Sequence, residues 1–256
     1  IDSSTGVINT INLPSLPQNF TFSSDGTRAY ATFSANTGGQ LAVIDTATLT
    51  TTWITIPAIS RTMVISPDNR YVYATASDNT LMVVDTTTTA VTNIALVGSE
   101  FMQDLLAVAP DGNTAYVVTG SGPFSNFDYQ DHSLEIVDLT THNITAIPLA
   151  SRPLEVTVSP DGTFVYLNDY DPEGSHSAVL IIDTATNTPT YFPTDGRGSW
   201  LAISSDSRWM TDLRVSTSDE GTTYTLLVID TAAKTATTIP LPGTVGPSAF
   251  RPDGLQ

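Results

Sequence analysis

The chain has 256 residues, enough for one large domain or two small ones and for a substantial buried core. Nine Lys and Arg against 26 Asp and Glu leave a formal charge of -17, which excludes a nucleic-acid binder that must displace counterions from phosphate, and electrostatic docking onto anionic membranes. Hydrophobic residues at 40% exclude a disordered acidic tail, no apolar stretch of about 18 residues offers a membrane span, and the lack of cysteine excludes disulfides, thiolate metal sites and Cys nucleophiles.

In chain order, Ile1-Asp2-Ser3 reads as the end of a strand, and residues 7–13 read as another. Four short strands follow at 20–23, 28–34, 40–45 and 50–56, rich in Val, Ile, Thr, Tyr and Phe and separated by turn residues. The punctuation around these strands then recurs. Ser24-Asp25-Gly26 returns as Ser66-Pro67-Asp68-Asn69, Ala109-Pro110-Asp111-Gly112, Ser159-Pro160-Asp161-Gly162, Ser205-Asp206-Ser207 and Arg251-Pro252-Asp253-Gly254, with aspartates at intervals of 43, 43, 50, 45 and 47. Ile44-Asp45-Thr46 has counterparts in Val84-Asp85-Thr86, Val137-Asp138, Ile182-Asp183-Thr184 and Ile229-Asp230-Thr231, interleaved at 40 to 53 residues.

Two interleaved markers with one period predict a repeat protein. No window carries a sustained 3.6-residue apolar period, so almost no helix is expected. Four antiparallel strands per repeat, lettered A to D from the innermost outward, predict an all-β fold, a β-propeller of four-stranded antiparallel blades. The expected complete blades span residues 14–56, 57–96, 97–149, 150–192 and 193–241, with partial blades at 1–13 and 242–256. This is the expectation for a fragment of a seven-bladed ring, lacking the strands that would join 7–13 to 245–250 and leaving edges bare.

The turn chemistry has a mechanism. In Ser-Pro-Asp-Gly, proline presets φ, the Asp carboxylate accepts nearby amides, and Gly takes φ > 0; this makes the A–B hairpin. In Ile-Asp-Thr, the apolar residue ends strand C inside the blade, and the Asp opens the C–D turn through an Asx-type bond. Asp45 and Asp183 are therefore expected to be structural. Twelve of the 21 Asp occupy these two kinds of turn, so most of the acidity follows from architecture.

These repeats resemble the YVTN family of β-propellers, found in surface-layer and secreted proteins. The resemblance rests on the Ser-Pro-Asp-Gly turns, on the strand-B segments Tyr71-Val72-Tyr73-Ala74-Thr75, Ala115-Tyr116-Val117-Val118-Thr119 and Phe164-Val165-Tyr166-Leu167-Asn168, and on the Ile-Asp-Thr-Ala-Thr endings at 44–48 and 182–186. The fifth repeat departs from it: its turn lacks Pro and Gly, and Arg208-Trp209-Met210-Thr211-Asp212 reads as a poor strand B. The resemblance implies an extracellular or cell-envelope location and a non-enzymatic scaffold binding a protein or carbohydrate at the cell surface, with no nucleic acid and no membrane insertion. The alternative it implies is a lactonase-like or other hydrolytic propeller with its site at the axial mouth.

B–C and D–A connections share one end of each blade, and A–B and C–D turns the other. The B–C connections are expected to lengthen at 120–132, 170–177 and 216–222, where rigid scaffolds commonly carry function. Asp169-Tyr170-Asp171-Pro172-Glu173-Gly174 places oxygens at alternate positions, as a Ca²⁺ loop begins, but Leu180 stands where an EF-hand needs Glu. No cofactor is otherwise expected. His132 and His176 close the long connections of adjacent blades beside Asp131 and Glu173. Together with Asp128, Asp169 and Asp171 they form a candidate metal set; the structural alternative is exposed loop imidazoles and solvated carboxylates. No Gly-x-Ser-x-Gly elbow or phosphate-cradling Gly loop occurs, so no catalytic residue is named. Asn19-Phe20-Thr21 and Asn143-Ile144-Thr145 are glycosylation sequons. Finally, Arg61, Arg152 and Arg197 stand in D–A connections and are expected to aim guanidinium groups at the axial mouth, inside a carboxylate rim, to receive an anionic group; the structural alternative is simple pairing with rim Asp.

Overall fold

In the computed structural model, residues 6, 10–35, 38–58, 60–98, 105–120, 132–149, 152–170, 178–194, 197–218 and 221–243 are described, with the side chains of Arg61, Arg152, Asp169, Tyr170, Ser199 and Ser218 outside that set. Of the expected partial blades at 1–13 and 242–256, only residues 6, 10–13, 242 and 243 belong to it. The chain divides into two compact units, Ile1–Ile94 and Ala95–Gln256. Every described element is a strand, and together they form five four-stranded antiparallel sheets.

The first unit holds two blades. Blade 1 consists of β1 (Asn19–Phe22), β2 (Arg28–Ser34), β3 (Gly39–Asp45) and β4 (Thr51–Ile56), paired in that order. Blade 2 consists of β5 (Ser60–Ile65), β6 (Tyr71–Ala76), β7 (Thr80–Asp85) and β8 (Val91–Ala95). Because successive strand residues point to opposite faces, one face of blade 1 sends Tyr30, Leu41, Val43 and Ile54 into a core shared with Val72, Ala74, Met82 and Val84 of blade 2. The other face, with Ala29, Ala31, Phe33, Ala42 and Ile44, is packed by Ile11 and Leu13.

The second unit holds three. Blade 3 is β9 (Leu106–Val108), β10 (Thr114–Thr119), β11 (His132–Asp138) and β12 (Ile144–Leu149). Blade 4 is β13 (Arg152–Val158), β14 (Phe164–Tyr170), β15 (Ala178–Asp183) and β16 (Thr188–Pro193). Blade 5 is β17 (Arg197–Ile203), β18 (Trp209–Ser218), β19 (Gly221–Asp230) and β20 (Thr235–Leu241). Blade 4 is apolar on both faces. Val165, Leu167, Leu180 and Ile182 meet Tyr116, Val118 and Leu134 of blade 3. Tyr166, Val179 and Ile181 meet Met210, Leu227 and Ile229 of blade 5. Each such side chain contributes about 1.5–3 kcal/mol by leaving water.

One register runs through all five A–B hairpins. Phe22 faces Ala29, Ile65 faces Val72, Val108 faces Ala115, Val158 faces Val165, and Ile203 faces Met210. Counting from the turn aspartates (25, 68, 111, 161 and 206) therefore gives equivalent positions in each blade.

Two expectations are corrected in blade 5. β18 is a good strand ten residues long, because the charges that made the stretch look poor find partners beyond it, Asp212 in Arg214 and Arg208 in Asp230. The stretch 216–222 is not an open loop. Ser216 pairs with Thr223, Thr217 with Thr222 and Ser218 with Gly221, so β18 and β19 run on as a paired ribbon as far as Ser218 and Gly221. Its Thr residues suit extended backbone, and Gly221 at φ 128 supplies the bend.

Candidate functional site

The turn end of the blades is occupied by structure. Ser23 Oγ donates to Asp25 Oδ1 at 2.7 Å, and the Thr27 amide donates to the same oxygen at 2.9 Å. The Ser23 hydroxyl first, then the Thr27 amide and hydroxyl, hold the Asp25 carboxyl down to about 2. Ser159 with Asp161, and Ser204 with Asp206, repeat the arrangement. Ser207 takes the glycine position with φ 60, which is why the fifth turn survives without Pro or Gly.

The Ile-Asp-Thr aspartates act as expected. Asp45 Oδ1 accepts the amides of Ala47 (3.0 Å) and Thr48 (2.7 Å), and Asp183 Oδ1 those of Ala185 and Thr186 (both 3.0 Å). Asp85 is also bonded by Arg70, which holds its carboxyl well below the usual range. The fourth residue after each Asp is left-handed: Leu49, Thr89, His142, Asn187 and Lys234 have φ between 53 and 62. In four of the five blades the residue after the Asp is Thr and ties the C–D turn to the A–B turn, as Thr46 does to Thr27 O and Gly26 O; in blade 3 Leu139 makes the amide bond alone.

The loop end is where blades differ. Six residues after the turn Asp stand Ala31, Ala74, Val117, Leu167 and then Asp212; eight after stand Phe33, Ala76, Thr119, Asp169 and then Arg214. Asp212 and Arg214 lie two apart on β18 and so share its face with Met210, which packs on blade 4. Arg214 Nε lies 2.7 Å from Asp212 Oδ2 as an ion pair, with side-chain exposures of 3% and 0%. Opposite Arg214 in the register stands Gly198, where a Cβ would fall 2.6 Å from Asp212 Oδ2 and 3.0 Å from Arg214 Cζ. Only glycine lets the inner strand lie over this ion pair.

Blade 4 meets that face with polar groups of its own. The Glu155 carboxylate accepts the Leu201 amide at 2.8 Å and also bonds the Trp200 amide; burial nonetheless pushes its pKa up. Trp200, at φ 64, sits at a bulge between Ser199 and Leu201 and keeps 42% of its surface in water. A bulky residue in this conformation is strained, and the bulge that turns two successive amides onto Glu155 is its compensation. Opposite Glu155 in the register, Asn168 is 1% exposed; its Oδ1 accepts the Leu154 amide at 3.2 Å, while its Nδ2 has no partner among the described residues. Glu155, Asn168, Asp212 and Arg214 thus form a polar layer between two blades, above the apolar contact of Tyr166 with Met210.

Blade 3 carries a buried carboxylate of another kind. Glu135, fully buried on β11, accepts the amides of Val97 (2.9 Å) and Gly98 (2.7 Å) and the Thr119 hydroxyl (2.7 Å). It stands opposite Val117, on the rung that Asp212 occupies in blade 5. A Cβ at Gly98 would lie 2.6 Å from Thr119. Glu135 fastens the segment entering blade 3 and is fully engaged in doing so.

The arginines singled out from the sequence lie in inner strands rather than in the connections before them, because the strands begin as soon as the chain reaches the blade edge. Arg152 and Arg197 open β13 and β17 at equivalent register positions, opposite Tyr170 and Val215. Arg61 lies two positions further along β5, at a bulge, so the three are not equivalent. Arg197 is exposed; the side chains of Arg61 and Arg152 lie outside the described set.

Of the metal candidates, Asp128, Asp131, Asp171, Glu173 and His176 lie outside the described residues. Asp169 belongs to β14 rather than to a loop. His132 opens β11 at 3% exposure, so it is a buried strand residue and not a loop imidazole. Among the described residues no group of three His, Asp or Glu is placed to hold a metal. Arg214, Glu155 and Trp200 do not stand out in the sequence, and Asp212 does so only as part of a stretch that reads as a poor strand. The signal for Asp212 and Arg214 was a charge at a repeat position where the other blades carry apolar or small residues.

No protein-family model matches the chain, and no curated protein matches it. Among solved structures, the chain is similar to Kuenenia stuttgartiensis hydrazine synthase (TM-score 0.70, 18% identity, covering 98% of this chain and 74% of that one). It is also similar to an oligogalacturonate lyase in complex with manganese (0.71, 15%, 91% and 67%). TolB from Acinetobacter baumannii is a further neighbour (0.56, 14%), of whose length the chain spans 56%. At these identities the likeness establishes the fold alone, and that fold is the β-propeller.

Proposed function

We propose that the chain is part of a YVTN-type, secreted or cell-surface β-propeller that acts as a non-enzymatic binding scaffold. Its ligand is a protein or carbohydrate carrying an anionic group, received at the loop end of blades 4 and 5. One observation carries this reading. The inner strand β17 presents Arg197 and the strained, water-exposed Trp200, while Glu155 clamps its bulge and buried Asp212 and Arg214 support it from below. A guanidinium fork receives carboxylate, an exposed indole supplies flat apolar area, and strain held in a rigid frame is a mark of functional positions.

The test is calorimetric titration of the protein with a panel of small carboxylates, uronic acids and cell-envelope glycans, with and without calcium. Arg197→Ala and Trp200→Ala are expected to weaken the responding ligand at least about tenfold, equivalent to 1.4 kcal/mol, with unchanged melting temperature. No binding to any panel member, or binding indifferent to both variants, would overturn the reading. The hydrolytic alternative has one observation in its favour: a half-buried carboxyl with a raised pKa, Glu155, suits a general acid. Turnover of a bound ligand that Glu155→Gln abolishes without weakening binding would select it.

A further inference from the structure

Asn143 and Asn19 head two sequons of identical form, and the fold treats them differently. Asn19 lies in the inner strand β1, opposite Thr32, and its Nδ2 donates to Thr32 Oγ1 at 3.2 Å. Its amide nitrogen is engaged and its backbone is paired. Asn143 is exposed at the close of the C–D turn of blade 3, next to left-handed His142. What the turn takes from it is backbone: the Asp138 amide donates to the Asn143 carbonyl at 2.9 Å. Its side-chain amide makes no hydrogen bond among the described residues. The equivalent positions, five after the turn Asp, are Thr50, Ala90, Thr188 and Thr235. In two of those blades the same carbonyl bond forms, to Thr50 O and Ala90 O. The turn therefore places no demand on an Asn side chain, and the residue is unexplained by folding. Two residues on, Thr145 is exposed on β12, the outermost strand of its sheet, so both the acceptor nitrogen and the hydroxyl that a sequon requires face solvent.

We infer that Asn143 is an N-glycan acceptor and that Asn19 is not. The reaction is a glycosyl transfer from a lipid-phosphate-linked oligosaccharide, the donor class used for such acceptors. Asn143 Nδ2 attacks the anomeric carbon, the bond from that carbon to the phosphate oxygen breaks, a C–N bond forms, the amide gives up one proton, and the lipid phosphate leaves with the bonding electron pair. The glycan would stand at the turn end of blade 3, away from the loop end.

The experiment is intact-mass and glycopeptide analysis of the protein purified from the cells that make it, beside the Asn143→Thr, Thr145→Ser, Thr145→Ala and Asn19→Gln variants. A glycan mass on the peptide containing Asn143 is expected. It should be lost completely in Asn143→Thr and Thr145→Ala, and kept in Thr145→Ser and Asn19→Gln. Asn143→Thr installs the residue that three other blades carry, so folding should be undisturbed and circular dichroism melting should confirm it. An unmodified chain, or a glycan found at Asn19, would overturn the inference.

Discussion

At the turn end, Thr46, Thr86, Thr184 and Thr231 each tie the C–D turn of a blade to its A–B turn through an amide bond and a hydroxyl bond, four copies of one device. At the loop end, one equivalent position holds Ala31, Ala74, Val117, Leu167 and Asp212. The first set is dictated by backbone: a tight turn leaves the same amides and carbonyls over in every blade, and a short oxygen-bearing side chain is the local way to satisfy them. The second set answers to no shared backbone need, so a charge buried there has been placed against the cost of desolvation. Repetition marks scaffold, and its interruption marks where a blade does something of its own.

The comparison breaks most sharply at the ion pair. Asp212→Ala leaves Arg214 buried without its carboxylate, and chemical denaturation should show a loss of about 3–5 kcal/mol. The double change Asp212→Leu with Arg214→Ala installs what blades 4 and 2 carry in Leu167 and Ala76, and should recover most of that stability or exceed the parent. A single variant costing less than about 1 kcal/mol would mean the loop end is no more specialised than the turn end.

Acid titration sharpens the contrast on the other side. The turn aspartates, Asp25 at about 2 and Asp45, Asp138, Asp183, Asp206 and Asp230 lowered with it, bind protons less readily folded than unfolded. Their contribution is complete above the unfolded value of about 4 and is lost as pH falls through the folded values. Glu155, with its raised pKa, works in the opposite sense and gains stability as it protonates, but it is one group against many. Melting temperature should therefore be level above about pH 5 and fall steeply between about pH 4 and pH 2. A rise across that window would show that buried carboxyls of the Glu155 kind, not the turns, govern acid stability.

The smallest effect lies within the repeat itself. Thr89 is exposed and β-branched at φ 62, a conformation glycine takes without strain. Thr89→Gly should raise stability by about 0.5–1 kcal/mol in denaturant titration, the relief of left-handed strain less the entropy glycine loses on folding. A loss instead would mean that Thr89 packs in a way its turn does not require.

Much of this was legible in the residues alone. The period, the four strands per blade, the hairpin turns and the Asx role of Asp45 and Asp183 follow from chemistry acting over two to five residues, and a linear sequence displays such chemistry directly. What needed the folded chain was anything joining distant positions. That Arg208-Trp209-Met210-Thr211-Asp212 begins a sound strand depends on Arg214 neutralising Asp212 behind Gly198. That Ser216 to Thr222 is a ribbon depends on cross-strand register. That Arg61 falls at a bulge of β5, while Arg152 and Arg197 stand opposite Tyr170 and Val215, depends on where bulges interrupt the pairing. Sequence determines local turn geometry because the atoms that satisfy each other are near neighbours. Which charges are buried together, and which asparagine is left to solvent, is decided by tertiary packing, because burial belongs to the surroundings of a side chain and not to the side chain.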